Sequence, residues 1–192
     1  MLSGARTLAS TLLLLIGGPC TLGACVLPQE DRVLNFPPLR NRPPRIMEEL
    51  NVKPDNRVIE IPVNVDPCPR LEFGFFAEDP DVDDTLNVRW FIDYHVLQNL
   101  GVAEQTLSPS GKPVRDDTGS YTVDLAGALT EPEARLQLVG THVVEAILFD
   151  GRLGPQRKPL PRTPAIDGGV ENPSYAVSYA WVVQTMRSCP LP

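Results

Sequence analysis

The chain is poor in the residues on which catalysis usually rests. Its 192 residues include only two histidines, His95 and His142, and four cysteines. There is no Gly-x-Ser-x-Gly elbow, no His-Glu-x-x-His helix and no phosphate-cradling glycine loop. Carboxylates are plentiful, but no spacing singles out a pair, so no catalytic residue is assigned and the chain is expected not to be an enzyme. The absence of a Cys-x-x-Cys argues against a mobile redox site, and two scattered histidines are too few to complete a cysteine metal site. Positive charge is also in deficit. Against 24 Asp and Glu stand 17 Lys and Arg, a net charge of −7, which disfavours nucleic acid and an electrostatic grip on anionic lipid. No stretch reaches the roughly 20 apolar residues that a membrane-spanning helix needs. Amphipathic helices of ordinary length are missing as well.

What the sequence does have begins at its first residue. Arg6 precedes an apolar run, Leu8 to Ile16, broken by Gly17, Gly18 and Pro19 and followed by small residues up to Cys25. This is the layout of a secretory signal, too short for a permanent span and without the polar face of a core helix. Leu22-Gly23-Ala24-Cys25 resembles the lipobox of bacterial lipoproteins, in which the cysteine is lipidated and becomes the first mature residue. The resemblance implies a signal segment 1–24, a covalent lipid on Cys25 and attachment to the membrane through two or more acyl chains, one chain being marginal. The alternative is plain cleavage near Ala24 and a soluble product. Val26, where retention at the inner membrane often uses aspartate, favours the outer membrane of a bacterial envelope.

Cys20 leaves with the signal and Cys25 takes lipid, so Cys68 and Cys189 remain. In an oxidising compartment two such cysteines read as a disulfide. Closing a loop of about 120 residues stabilises by roughly 4–5 kcal/mol in the chain-entropy view. Prolines flank both cysteines (Pro67, Pro69, Pro190), in keeping with rigid ends of a fold.

Residues 25–56 are rich in proline and charge and predict a semi-extended tether. Beyond it the pattern has period two. Strands are predicted over Arg57–Val65, Leu71–Ala77, Leu86–Tyr94, Ser120–Leu125, Arg135–Val139, Val143–Phe149 and Tyr175–Thr185, with turns marked by Pro, Gly, Asp and Asn. About seven short strands without crossover helices predict an all-β protein, an antiparallel β-sandwich over residues 57–189.

Several segments, in order, resemble bacterial immunoglobulin-like domains of the cadherin and polycystic-kidney-disease (PKD) type. Asn41-Arg42-Pro43-Pro44-Arg45-Ile46 matches their opening N-x-P-P-x-I. Ala77 to Leu86 matches their Asp-rich turn, with Val88-Arg89-Trp90 at the strand-C tryptophan. Gly140-Thr141-His142-Val143-Val144 and Phe149-Asp150-Gly151 match strand F, and Ala180-Trp181-Val182-Val183 closes the domain. His142 departs from the usual aromatic, and the loop 152–172 is longer than the pattern requires.

Three groups of residues are candidates for binding. Asp79, Asp81, Asp83 and Asp84, with Asp150 approaching from another loop, could supply oxygen ligands for calcium or could build the turn by local hydrogen bonds. Arg152, Arg157, Lys158 and Arg162 make the proline-rich loop 152–172 a docking surface for an acidic partner. Trp90 and Trp181 are either core or a sugar platform. The resulting expectation is a non-enzymatic, lipid-anchored module that holds another envelope protein, with no cofactor. Its rivals are a calcium-dependent adhesion module and a secreted sugar-binding domain or hydrolase.

Overall fold

The computed structural model describes residues 41–62, 68–94, 101–162 and 173–187. Ten strands run through them: β1 Arg45–Met47, β2 Val58–Ile61, β3 Arg70–Glu78, β4 Leu86–Ile92, β5 Ala103–Leu107, β6 Val114–Asp124, β7 Gly140–Phe149, β8 Arg152–Leu153, β9 Pro159–Leu160 and β10 Ala176–Thr185. Eight of them form two sheets, ordered β1-β3-β6 and β2-β10-β7-β4-β5, while β8 and β9 make a two-stranded ribbon. Pairing is antiparallel except between β2 and β10, which run parallel. The chain therefore starts in the small sheet as β1 and crosses to the large one as β2. The architecture is an immunoglobulin-like β-sandwich, as the sequence pattern predicts.

Alternation places the core. On β4 the side chains of Leu86, Val88, Trp90 and Ile92 are buried between the sheets, and Trp181 and Val183 of β10 face them. Five aromatic residues meet there. Trp90 stacks on Trp181 with ring centres 5.9 Å apart and on Tyr121 at 5.5 Å, while Phe73 meets Trp181 edge-on at 5.3 Å and Phe75 lies 5.9 Å from Trp90. Trp181 donates its indole N–H to the Pro54 carbonyl at 3.2 Å, tying the crossover between β1 and β2 to the core. Gly119 is required by contact: a Cβ there would come within 2.7 Å of the Phe75 ring.

Three features depart from the sequence expectation. Arg135–Val139 is not a strand, since Glu133–Gln137 forms a short 3-10 helix. Its Leu136 plugs the core and the Gln137 amide donates to the carbonyls of Leu125 and Gly127. Leu138 and Val139 are left 57% and 62% exposed, so the apparent alternation did not encode a buried face. Residues 41–56, assigned to the tether, belong to the domain: β1 pairs with β3, Asn41 and Val52 are buried, and Lys53 bridges Gly74. Finally, β5 and the ribbon went unpredicted, because their sequences are too polar or too short to show a period.

β5 and β6 are edges of opposite sheets, and one side chain closes the gap between them. Gln105 donates to the Thr118 carbonyl at 3.0 Å and accepts from the Ser120 N–H at 2.9 Å, standing in for a neighbouring strand along that edge. Because the core is centred on Trp90, Trp90→Ala is expected to cost about 3–5 kcal/mol. Urea unfolding measures this, and a loss under about 1 kcal/mol would contradict the placement of this ring.

Candidate functional site

The Asp-rich turn joins β3 to β4. Asp79 starts it by accepting the Asp81 N–H at 2.9 Å, and the Asp84 N–H bonds back to the Asp81 carbonyl at 3.0 Å. That is the local hydrogen bonding for which aspartate is favoured in turns. At the centre of the turn sits Arg115 of β6. Its guanidinium donates to the carbonyls of Val82 at 2.8 Å, Asp84 at 2.8 Å and Asp81 at 3.2 Å, and lies 3.4 Å from the Asp79 carboxylate. Both side chains of this ion pair are fully buried. Arg115 reaches inward because the β3–β6 register breaks between Phe76 and Glu78, which inserts extra residues into β6 beside Arg115. A bulge of this kind re-aims a side chain.

Two more arginines complete the neutralisation. Arg42 binds Asp81 through its backbone N–H at 2.7 Å and its guanidinium at 2.7 and 3.0 Å. Arg162 binds Asp84 at 2.8 Å, lies 3.8 Å from Asp150 and donates to the Asp150 carbonyl. Asp150 is itself buried and accepts from Asn41 at 2.7 Å and from the Tyr175 N–H at 2.8 Å. Burial pushes Asp79 and Asp150 above the usual carboxylate range, with hydrogen bonds and the nearby arginines pulling back against it. For Asp81 burial pushes the same way but is outweighed, and the Arg42 bonds hold its carboxyl low.

The four candidate calcium ligands are therefore spoken for differently from what their clustering suggests. Asp79, Asp81 and Asp84 each face an arginine, while Asp83 is exposed. Among the described residues no three His, Cys, Asp or Glu side chains are arranged to hold a metal. The donor set does not fit a calcium ion, because a guanidinium occupies the centre where carbonyls and a carboxylate converge.

The basic loop divides in two. The ribbon folds over the outer face of the large sheet, where Leu153 and Tyr94 cover a small second cluster of Phe91, Ile147 and Phe149. Arg157 pairs with Glu145 and lies 3.9 Å over the Tyr94 ring, and Arg162 is committed to the Asp turn. Arg152 and Lys158 are exposed, and neither forms an ion pair among the described residues. Both tryptophans are wholly buried, so neither can serve as a sugar platform. His142 is buried, with Nδ1 at 2.6 Å from Asp93 and Nε2 at 3.1 Å from the Leu138 carbonyl. Cys68 is disulfide-bonded, while Cys25, Cys189 and His95 lie outside the described residues. Sequence reasoning missed Arg42 and Arg115. The "N-x-P-P-x-I" opening contained Arg42, but nothing local marks Arg115, whose partners lie more than 30 positions away.

No family model matches the chain, and no curated protein does. One solved structure similar to it is the CARDB domain of a Pyrococcus furiosus protein, in complex with di-metal ions. The match has a TM-score of 0.32 and 9% identity, and covers 76% of this chain and 90% of that one. So loose a likeness carries no argument here, and the metals are that protein's own.

Arg115→Ala leaves Asp79 and three carbonyls without their donor and is expected to cost about 3–5 kcal/mol, measured by denaturant unfolding. Arg115→Lys, which cannot reproduce the fork, should recover only part of this. The buried carboxylates also set a pH dependence. A raised folded value means that the native state holds protons which the unfolded chain releases. The stabilisation is complete below about pH 3.9 and is lost as pH rises through the folded values. Asp81, held low, contributes above that point and loses its share as pH falls. As pH falls towards about 3.9 the buried Asp150 should therefore add stability that Asp150→Asn lacks, so the melting temperature of the wild type should gain on that of the variant. A variant whose melting temperature tracks the wild type's throughout that fall would contradict the assignment.

Proposed function

We propose that the chain is a lipid-anchored, non-enzymatic interaction module of the bacterial cell envelope, carried on Cys25 at the outer membrane. The observation that carries this reading is the direction of its polar groups. Asp79, Asp81, Asp84, Asp150, Arg42, Arg115, Arg157, Arg162 and His142 are all turned to partners within the fold. Arg152 and Lys158 remain exposed on a ribbon held against a rigid sheet. Groups so used hold a shape and perform no chemistry on a substrate. Among the described residues no helix is long and apolar enough to cross a membrane, so in this reading attachment falls to the lipid. The partner is another envelope protein with an acidic surface. Cys189 is assigned as the disulfide partner of Cys68.

Intact mass spectrometry of protein taken from its native membrane tests the anchor and the bridge together. An acylated Cys25 and a gain of two hydrogens on reduction are expected, and an unmodified Cys25 would remove the anchor. Arg152→Glu with Lys158→Glu should leave the unfolding free energy within about 0.5 kcal/mol of wild type and abolish co-purification of the partner. A partner retained at wild-type level would move the contact elsewhere.

A further inference from the structure

We infer that the outer face of the small sheet, over Gly74, is a binding site for one pyranose ring of an uncharged saccharide. Register places its lining. Phe76 lies opposite Thr118, Gly74 opposite Ser120 and Glu72 opposite Thr122. These side chains point away from the core, because Phe73, Phe75, Tyr121 and Val123 between them point into it. Lys53 bridges Gly74 from the other side, so Lys53 and Ser120 flank a position that has no side chain. The result is a hollow of about 310 Å³. That is the small end of the range for ligand pockets, room for a single ring. Neither backbone nor packing requires a glycine at its floor. The φ of Gly74 lies outside the left-handed region, and an added Cβ would meet only the Gly119 carbonyl, at 3.4 Å, an ordinary contact. A glycine inside a strand weakens it and marks a close approach to the backbone. The neighbouring chain approaches from the side, where Lys53 and Gly74 exchange hydrogen bonds of 2.8 Å in both directions, and it leaves the face open.

Three observations select a sugar ring as the occupant. The first is the polar lining. The side chains of Asn51, Lys53, Thr118, Ser120 and Thr122 form no hydrogen bond or ion pair among the described residues. Glu72 lies 3.6 Å from Arg70, with both side chains 63% exposed, a pairing that contributes little. The hollow thus offers an anion, a cation, an amide and hydroxyls together. That mixture suits an uncharged ring whose hydroxyls each donate and accept. A small anion would meet Glu72, a small cation would meet Lys53, and an apolar ligand would strip water from both without return. The second is Phe76, half-buried beside Met47, which closes one end with apolar surface for the C–H groups of the ring. The third is a fixed platform. The Gln105 amide that bonds the Thr118 carbonyl and the Ser120 N–H holds the backbone that carries these two hydroxyls. At Gly74 β3 has a neighbour on each side, Lys53 and β6, so a peptide cannot add there as a strand. The ribbon covers the other sheet, and the hollow stands whether or not the ribbon docks a partner protein.

Amide chemical-shift titration of the isotope-labelled full chain, in a detergent without a sugar headgroup, tests the proposal. The probes are glucose, galactose, mannose and N-acetylglucosamine, each alone and as a linear tetrasaccharide. A single ring should bind with a Kd on the order of millimolar and move the amides of Lys53, Gly74 and Ser120. Binding of the single sugars identifies a free saccharide, and binding of the tetrasaccharides alone identifies one unit of a glycan; both uphold the site. Gly74→Val fills the floor on an exposed strand face, where β-branched residues are favoured, so the melting temperature should hold or rise while the shifts vanish. Ser120→Ala with Thr122→Ala should weaken binding about tenfold and leave folding unchanged. No shift with any probe would overturn the proposal, as would shifts confined to other residues or binding that survives Gly74→Val.

Discussion

The Arg115–Asp79 pair is the interaction on which the arrangement of the two sheets around the turn depends. A guanidinium and a carboxylate removed wholly from water are costly to bury, and their attraction offsets that cost only when further hydrogen bonds satisfy both groups. Here three backbone carbonyls of the Asp-rich turn supply acceptors to the arginine, and the Asp81 N–H supplies a donor to the aspartate. The geometry leaves little freedom. β6 must break register to deliver Arg115, and the turn must close tightly enough to present its carbonyls. β4 then leaves the turn with Trp90 aimed at the centre of the core. A pair of this sort is weak evidence of net stability, because apolar replacements of both partners are often as good. It is stronger evidence of a constraint, since removing either partner alone strands the other.

The same logic extends outwards. Arg42 brings the start of the domain to Asp81, and Arg162 brings the base of the ribbon to Asp84 and Asp150. Three segments distant in sequence are thus fastened to one turn by cations that the chain carries itself. Among the described residues β2 lies beside β10 only alongside Val182–Thr185, after the chain has changed sheets.

Much of the fold could be read from alternation. Leu86–Ile92 and Ala176–Thr185 carry period-two apolar patterns strong enough to fix both strands and to put Trp90 and Trp181 inside. Short or polar strands could not be read in this way. Ala103–Leu107 has a half-exposed edge face whose key residue, Gln105, works through its amide and not through hydrophobicity. Arg135–Val139 shows the reverse failure, where alternation of Leu136 and Leu138 came from a helical turn. The candidate site was legible as a cluster of aspartates but not as a solved one. Carboxylates close in sequence announce themselves, whereas the arginines that answer them come from positions 42, 115 and 162, and only the fold brings them together. Sequence proximity revealed the need for a cation and was silent on its source.

Arg115 serves as the cation of the Asp-rich turn. The most direct test is thermal unfolding of the chain in excess chelator and again in millimolar calcium. The melting temperatures should coincide, because a ligand that does not bind the native state cannot stabilise it. A rise of several degrees in calcium, reversed by the chelator, would mean that a metal competes for these carboxylates and would contradict the claim.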